Sequence, residues 1–281
     1  MNGMTAVLLA TVCAVVYGTA DFFGGLATKR SRVLAVVMLT QITGLVFVLP
    51  LLPLLPGTLN AGALAWGMAA GLAGGLAVIL FYRALAGGVM SVVAPTTATM
   101  SAALPVLFGL AVGERPEPLA LGGVVLALAA VVLVSRASGG GGGRPALAPI
   151  LQSLASGLGF GAFFILLKQV PEDSGMWPLF GARLASVVVV AVLALSIRAT
   201  VVPGRGALPT IIAAGVLDML ANVLYLLAVQ RGLLVLVAVL VSLYPASTLL
   251  LARYVLGERL NAVQAAGVGL ALGAVALIAS A

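Results

Sequence analysis

Apolar residues run through this chain in long unbroken blocks, separated by short breaks rich in polar residues, glycine and proline. The blocks do not alternate polar with apolar positions, which excludes the strands of a membrane β-barrel. Each is close to the ~20 residues that a helix needs to cross the hydrocarbon core of a bilayer. The pattern predicts ten spans, near 4–26, 33–53, 61–82, 89–112, 117–135, 147–168, 176–197, 207–230, 233–255 and 261–280. Only a few residues separate some neighbouring spans, so adjacent helices form antiparallel hairpins. No basic stretch precedes the first block, which reads as a retained helix and not as a cleaved signal peptide.

The two halves of the pattern match. A shift of 144 residues carries Gly113-Glu114-Arg115 onto Gly257-Glu258-Arg259, and Leu126-Ala127-Leu128-Ala129-Ala130-Val131 onto Leu270-Ala271-Leu272-Gly273-Ala274-Val275. The same shift carries Gly71, Gly88 and Gly123 onto Gly215, Gly232 and Gly267. Between the halves lies a flexible glycine run from Ser138 to Pro145. The expected organisation is a first five-helix repeat over 1–137, a linker over 138–145 and a second repeat over 146–281. Five is odd, so the second repeat enters the membrane upside down relative to the first, a common plan of secondary transporters. The fold class is an all-α membrane protein of ten transmembrane helices in two inverted five-helix repeats.

Composition narrows the function classes. The chain is 63% hydrophobic and only 7% charged, with a mean hydropathy of +1.27. That leaves too little polar surface for a soluble enzyme, a nucleic-acid-binding domain or a disordered chain. There is no His, so imidazole chemistry is absent, and the single Cys13 sits in an apolar block as a small packing residue. The net charge of +7 is a matter of orientation. Lys29, Arg30, Arg32, Arg83, Arg136, Arg144, Arg198, Arg205, Arg253 and Arg259 fall beside loops on one side, against Arg115, Lys168 and Arg231 on the other. The positive-inside rule makes the richer side cytoplasmic. The expectation is a multi-pass protein of the cytoplasmic membrane with both termini outside.

Ionisable groups at membrane depth are costly, so each asks for a reason. Asp218 lies mid-span, with Asn222 and Tyr225 at i+4 and i+7 on the same helix face. This column could bind an amine or carry a coupling proton, or the Asp could simply bond a neighbouring helix. Its first-half equivalents are Gly74, Val78 and Phe81, so it is not a fold requirement of both halves. Asp21 follows Tyr17 by one turn and either binds a cationic substrate or pairs with Lys29, Arg30 or Arg32. The fourth span carries Pro95, Thr96, Thr97, Thr99, Ser101 and Pro105; the ninth carries Ser242, Tyr244, Pro245, Ser247 and Thr248. Hydroxyls beside proline kinks can line a cavity, Thr97, Ser101, Ser242 and Tyr244 among them, or bond back to their own helices. Gln41 reads as a packing hydrogen bond. Arg183 reads as a side chain that snorkels outward, with counter-charge to an anionic substrate as the other reading. Glu114 and Glu258 read as caps of the following helix or partners of the adjacent Arg. Gly71, Gly74 and Gly75 are spaced to let helices touch or slide.

Ten short spans, a duplicated half and the Gly-Glu-Arg that closes the fourth helix of each half resemble the drug/metabolite transporter superfamily, in its EamA-type ten-helix branch. The stretch from Ala84-Leu85 through Gly113-Glu114-Arg115-Pro116 to Gly122-Gly123, and the aromatic-glycine pair Tyr17-Gly18, carry the resemblance. It implies a central cavity lined by the first, third, fourth, sixth, eighth and ninth helices. The fifth and tenth then pack behind and the second and seventh lie peripherally. It also implies export of amino acids, metabolites or drugs, or exchange of sugar phosphates and nucleotide sugars. Many similar proteins are drawn with both termini in the cytoplasm, opposite to the loop charges here.

The expected function is a secondary transporter that works by alternating access, not an enzyme, and exports small metabolites, amino acids or drug-like compounds, driven by protons through Asp218, by a counter-substrate or by the substrate gradient alone. No phosphate-binding Gly-x-x-x-x-Gly-Lys-Ser/Thr loop is present, so ATP is not hydrolysed within this chain. The alternatives are a facilitator or exchanger of anionic metabolites, then a membrane-embedded enzyme or a channel. No cofactor or metal is expected. The partners expected are a small-molecule substrate and the bilayer, without nucleic acid, and a monomer is favoured over a dimer.

Overall fold

The computed structural model describes residues 2–87, 90–135, 147–257 and 262–281. The expected linker 138–145, together with Gly88, Arg136, Glu258 and Arg259, lies outside the described residues. Described regular structure is helical throughout: α1 (Asn2–Thr28), α2 (Val33–Val48), α3 (Leu51–Leu54), α4 (Ala61–Gly87), α5 (Met90–Ala111), α6 (Pro118–Ser135), α7 (Leu147–Lys168), α8 (Trp177–Ser196), α9 (Leu208–Val229), α10 (Leu234–Val241), α11 (Tyr244–Leu256) and α12 (Ala262–Ser280). Helices are the response of unbroken apolar sequence to a lipid environment, because they satisfy every backbone group internally. Among the described residues, eight segments are long and apolar enough to cross a membrane. Over the predicted fourth and fifth spans the apolar helices are shorter, Thr96–Ala111 and Pro118–Leu133.

The two proline-bearing spans differ. The ninth breaks: α10 ends at Val241, and α11 begins at Tyr244 with Pro245 in its first turn, where a missing N–H costs nothing. The fourth stays one helix through Pro105. Kinking by proline, expected in both, therefore becomes a break in one.

The halves interlock. α1 packs along α9, and its repeat equivalent α7 packs along α4. α2 on α9 is answered by α8 on α4, and α5 on α7 by α10 and α11 on α1. α6 lies against α12, and α2 against α8. Within a half, α1–α2, α2–α4 and α4–α5 touch only lightly. Glycines permit the closest crossings. A Cβ on Gly71 would strike the Ala182 carbonyl, and one on Gly215, its repeat equivalent, would lie 2.7 Å from the Thr40 carbonyl. Clasps join loops at both ends of the bundle: Thr58 donates its N–H to the Asp173 carbonyl at 2.7 Å, and the Gly204 N–H reaches Ser31 Oγ at 2.7 Å.

One end of the bundle is sealed. Every residue of α10 but the partly buried Leu236 is buried, whereas α11 has no buried residue. Two charged side chains from other elements hold the α9–α10 turn. Lys168 donates to the carbonyls of Val229, at 2.7 Å, and Gly232, at 3.2 Å. Glu114 accepts the N–H groups of Leu234 at 2.8 Å and Val235 at 2.9 Å. Cation at a helix C-terminus and anion at a helix N-terminus both suit the helix dipoles. Glu114 thus caps a helix of the opposite repeat, not the following helix as its position in the sequence suggested. Arg115 bonds the Leu110 and Glu114 carbonyls instead of the Glu114 carboxylate. Glu114→Ala is expected to lower stability by about 2 kcal/mol, since buried donors left unpaired cost about 1–3 kcal/mol. Glu114→Gln, which keeps one acceptor, should lose less. Thermal unfolding in detergent checks this, and an unchanged midpoint for Glu114→Ala would refute it.

Candidate functional site

A cavity of about 140 Å³ opens where α1, α4, α7, α8 and α9 cross, with contributions from α2, α5 and α11. The size is close to that of the ~150 Å³ apolar cavity that takes up benzene in another protein. Among the described residues, none of α6 or α12 lines it. The second and seventh spans, expected at the periphery, do contribute: α2 supplies Thr40 and Gln41, and α8 supplies Arg183 and Ser186.

Arg183 is the centre of the polar wall. Its Nη2 forms an ion pair with Asp218 Oδ2, and its Nη1 donates to Gln41 Oε1. Its Nε points at Met219 Sδ, 3.2 Å away. Ser186 Oγ donates to the same Gln41 oxygen at 2.9 Å. Gly44 makes room for the guanidinium, since a Cβ there would sit 3.0 Å from Nε. The Arg183 side chain is only 9% exposed, against 36% for Asp218. Both line the cavity, but the cation is held and shielded while its carboxylate partner is the more exposed of the two.

This corrects the expectation for Arg183. It does not snorkel, because it starts about 9 Å inside α8, six residues at 1.5 Å each, and the bundle supplies a carboxylate, an amide and a glycine gap at that depth. Gln41, expected only to stitch helices together, belongs to the same network. Lys168 is turned away to the α9 and α10 backbone.

Of the predicted site residues, Tyr17, Asp21, Ser101, Asp218, Asn222 and Tyr244 line the cavity. Asp21 is exposed to it and makes no ion pair or hydrogen bond to any described residue, so pairing with Lys29, Arg30 or Arg32 is not seen. Asn222 donates to the Asp218 backbone carbonyl at 2.7 Å, steadying that turn. Three predicted residues lie in the packed core. Tyr225 is fully buried and donates to the Phe164 carbonyl at 2.9 Å. It shares the helix face of Asp218, but seven residues of rise, about 10.5 Å, carry it past the cavity. Thr97 bonds the Ser153 carbonyl at 3.2 Å and Ser242 the Val239 carbonyl at 2.7 Å.

Phe81, Phe160, Phe163 and Phe164 give the cavity an aromatic lining as well. Phe81 meets Phe160 edge-on at 6.3 Å, and Phe163 meets Phe164 at 5.7 Å. The repeat equivalents of the Asp218 column, Gly74, Val78 and Phe81, all line this same cavity. The repeat thus brings two matching faces together, polar on α9 and apolar on α4. Such a chamber can hold a small molecule with one charged end and one apolar end. Neither the Phe wall nor the Arg183–Gln41–Ser186 network was singled out from the sequence; the only available signal was the scarcity of polar residues in the spans.

Two comparisons agree with this architecture. A solved structure titled only "Crystal structure of protein" superposes with a TM-score of 0.78 over 97% of this chain and 95% of its own, at 20% identity, which shows a shared fold. No curated protein matches the chain. The model of the EamA-like transporter family matches twice, over residues 4–136 and 147–280, one match for each repeat. The chain belongs to the EamA-like transporter family, in the drug/metabolite transporter superfamily.

Proposed function

We propose that this protein is a secondary transporter that exports small amine-bearing amphipathic compounds across the cytoplasmic membrane by alternating access, exchanging them for protons. Ten crossings in two inverted repeats, both termini outside, serve one central site in a monomer. The observation that carries the reading is the cavity itself: two carboxylates, Asp21 and Asp218, one buried compensating cation, Arg183, and an apolar aromatic wall. With all three ionised the chamber carries one net negative charge, which a singly protonated amine neutralises. Its aromatic faces attract the same cation. The sealed α10 end and the open α11 side suit a conformer that faces the end rich in Lys and Arg.

Arg183 holds Asp218, so the coupling role expected of Asp218 passes to Asp21, which faces the cavity without a cation. Proton and amine then compete for one carboxylate, and only one leaves on each cycle. Exchange of anionic metabolites is the weaker reading. Arg183 is already neutralised, and Lys168 is engaged at the sealed end.

The test is uptake of radiolabelled phenylethylamine and pentylamine into liposomes that contain the purified protein, with and without an interior acid gradient. Accumulation of amines is expected to be faster than in protein-free liposomes under the same acid gradient, where amines are trapped passively. Accumulation that ignores the gradient would refute proton exchange, and indifference to amines of any kind would refute the substrate class.

A further inference from the structure

We infer that Arg183 is an internal counter-ion that sets how many positive charges the substrate carries. The inference rests on the amine reading of the cavity and goes further. Without Arg183 the cavity would present two carboxylates, Asp21 and Asp218, and would suit a molecule with two amines. With Arg183 in place, one of those carboxylates is already occupied by a guanidinium that never leaves. The protein in effect carries half of a dication as one of its own side chains, and the substrate supplies the other half.

The geometry supports a permanent and not an exchangeable cation. Gln41 Oε1, Met219 Sδ and the carboxylate of Asp218 surround the guanidinium on three sides, and Gly44 leaves the space that its plane needs. These partners come from α2 and α9, two elements beside the α8 that bears Arg183. Ser186 fixes the Gln41 amide from one turn further along α8. An arginine held from so many directions cannot swing aside for a second ammonium group. Asp218, more exposed than its partner, can still offer its outer face to the cavity. Gln41 is accordingly a positioning residue, acting on the substrate only through Arg183.

The test compares pentylamine with pentane diamine, at equal chain length, for inhibition of labelled phenylethylamine uptake. Wild type is expected to prefer the monoamine by at least tenfold. In Arg183→Gln the diamine-to-monoamine ratio should rise by at least tenfold. The double variant Arg183→Gln with Asp218→Asn, which restores the wild-type net charge, should return the preference to the monoamine. Arg183→Lys, which keeps the charge but loses the planar fork, should also keep the monoamine preference. A purely structural role would make Arg183→Lys and Arg183→Gln fail alike, with no gain for the diamine. A folded Arg183→Gln whose ratio is unchanged overturns the inference alone. Wild type that prefers the diamine overturns it without any variant. Wild type that takes neither amine overturns the substrate reading and this inference with it.

Discussion

Asp218→Ala is expected to destabilise the protein by about 2–3 kcal/mol, less than the ~3–5 kcal/mol of a fully buried ion pair because only Arg183 is buried. The reason lies in the other partner. Arg183 sits at membrane depth with a side chain only 9% exposed, and Asp218 is its sole anionic contact in the described structure. Gln41 and Met219 offer dipoles but no compensating charge. The reverse change should cost less, because Arg183→Gln leaves a carboxylate that already faces cavity water. Removing both charges should cost less than Asp218→Ala alone. Thermal and denaturant unfolding of the three variants in detergent would read this cycle. Equal losses for Asp218→Ala and Arg183→Gln would contradict the assignment of a fixed cation and a cavity-facing anion.

The second large effect belongs to Asp21. Asp21→Asn should lower amine uptake by about two orders of magnitude, near 2.7 kcal/mol, and should remove its dependence on a proton gradient. A charge pair at 4 Å is worth about 4 kcal/mol where the effective dielectric is near 20, before the amine loses its water. Asp21 can deliver much of that attraction because no described cation engages it. The variant should fold normally, since no hydrogen bond is lost. Uptake within threefold of wild type, still driven by the gradient, would show that Asp21 is a bystander.

Much of the architecture could be read from the chain because lipid imposes one rule everywhere. Apolar blocks of bilayer length must be helices, and a duplicated Gly-Glu-Arg at a fixed offset exposes the repeat. The observed α1, α7 and α9 lie within a few residues of the predicted spans. Half of the site was legible for the same reason, since Asp21 and Asp218 are rare charges in apolar surroundings. The other half was not. Arg183, Gln41 and Asp218 lie on three helices, with Gln41 and Arg183 142 positions apart, and no periodicity joins them. Position along α8 alone could not decide whether Arg183 reaches water or a partner. Tyr225 misled in the opposite sense, because a shared helix face says nothing about how far along the axis a cavity extends. Nor could the sequence show that Glu114 serves a helix of the other repeat, 120 residues onward.

The interlocking of the two repeats has a consequence for the order in which the chain is made. α1 has its main partner in α9, which begins about 180 residues later. At a synthesis rate of about 5–20 residues per second, the first helix enters the bilayer some 10–40 s before that partner exists. Throughout that interval Asp21 has neither the enclosing cavity nor the neighbours that later surround it. The nascent first repeat is therefore a client for whatever shelters polar helices beside the insertion machinery. A ribosome stalled before α9 should leave it exposed to membrane proteases.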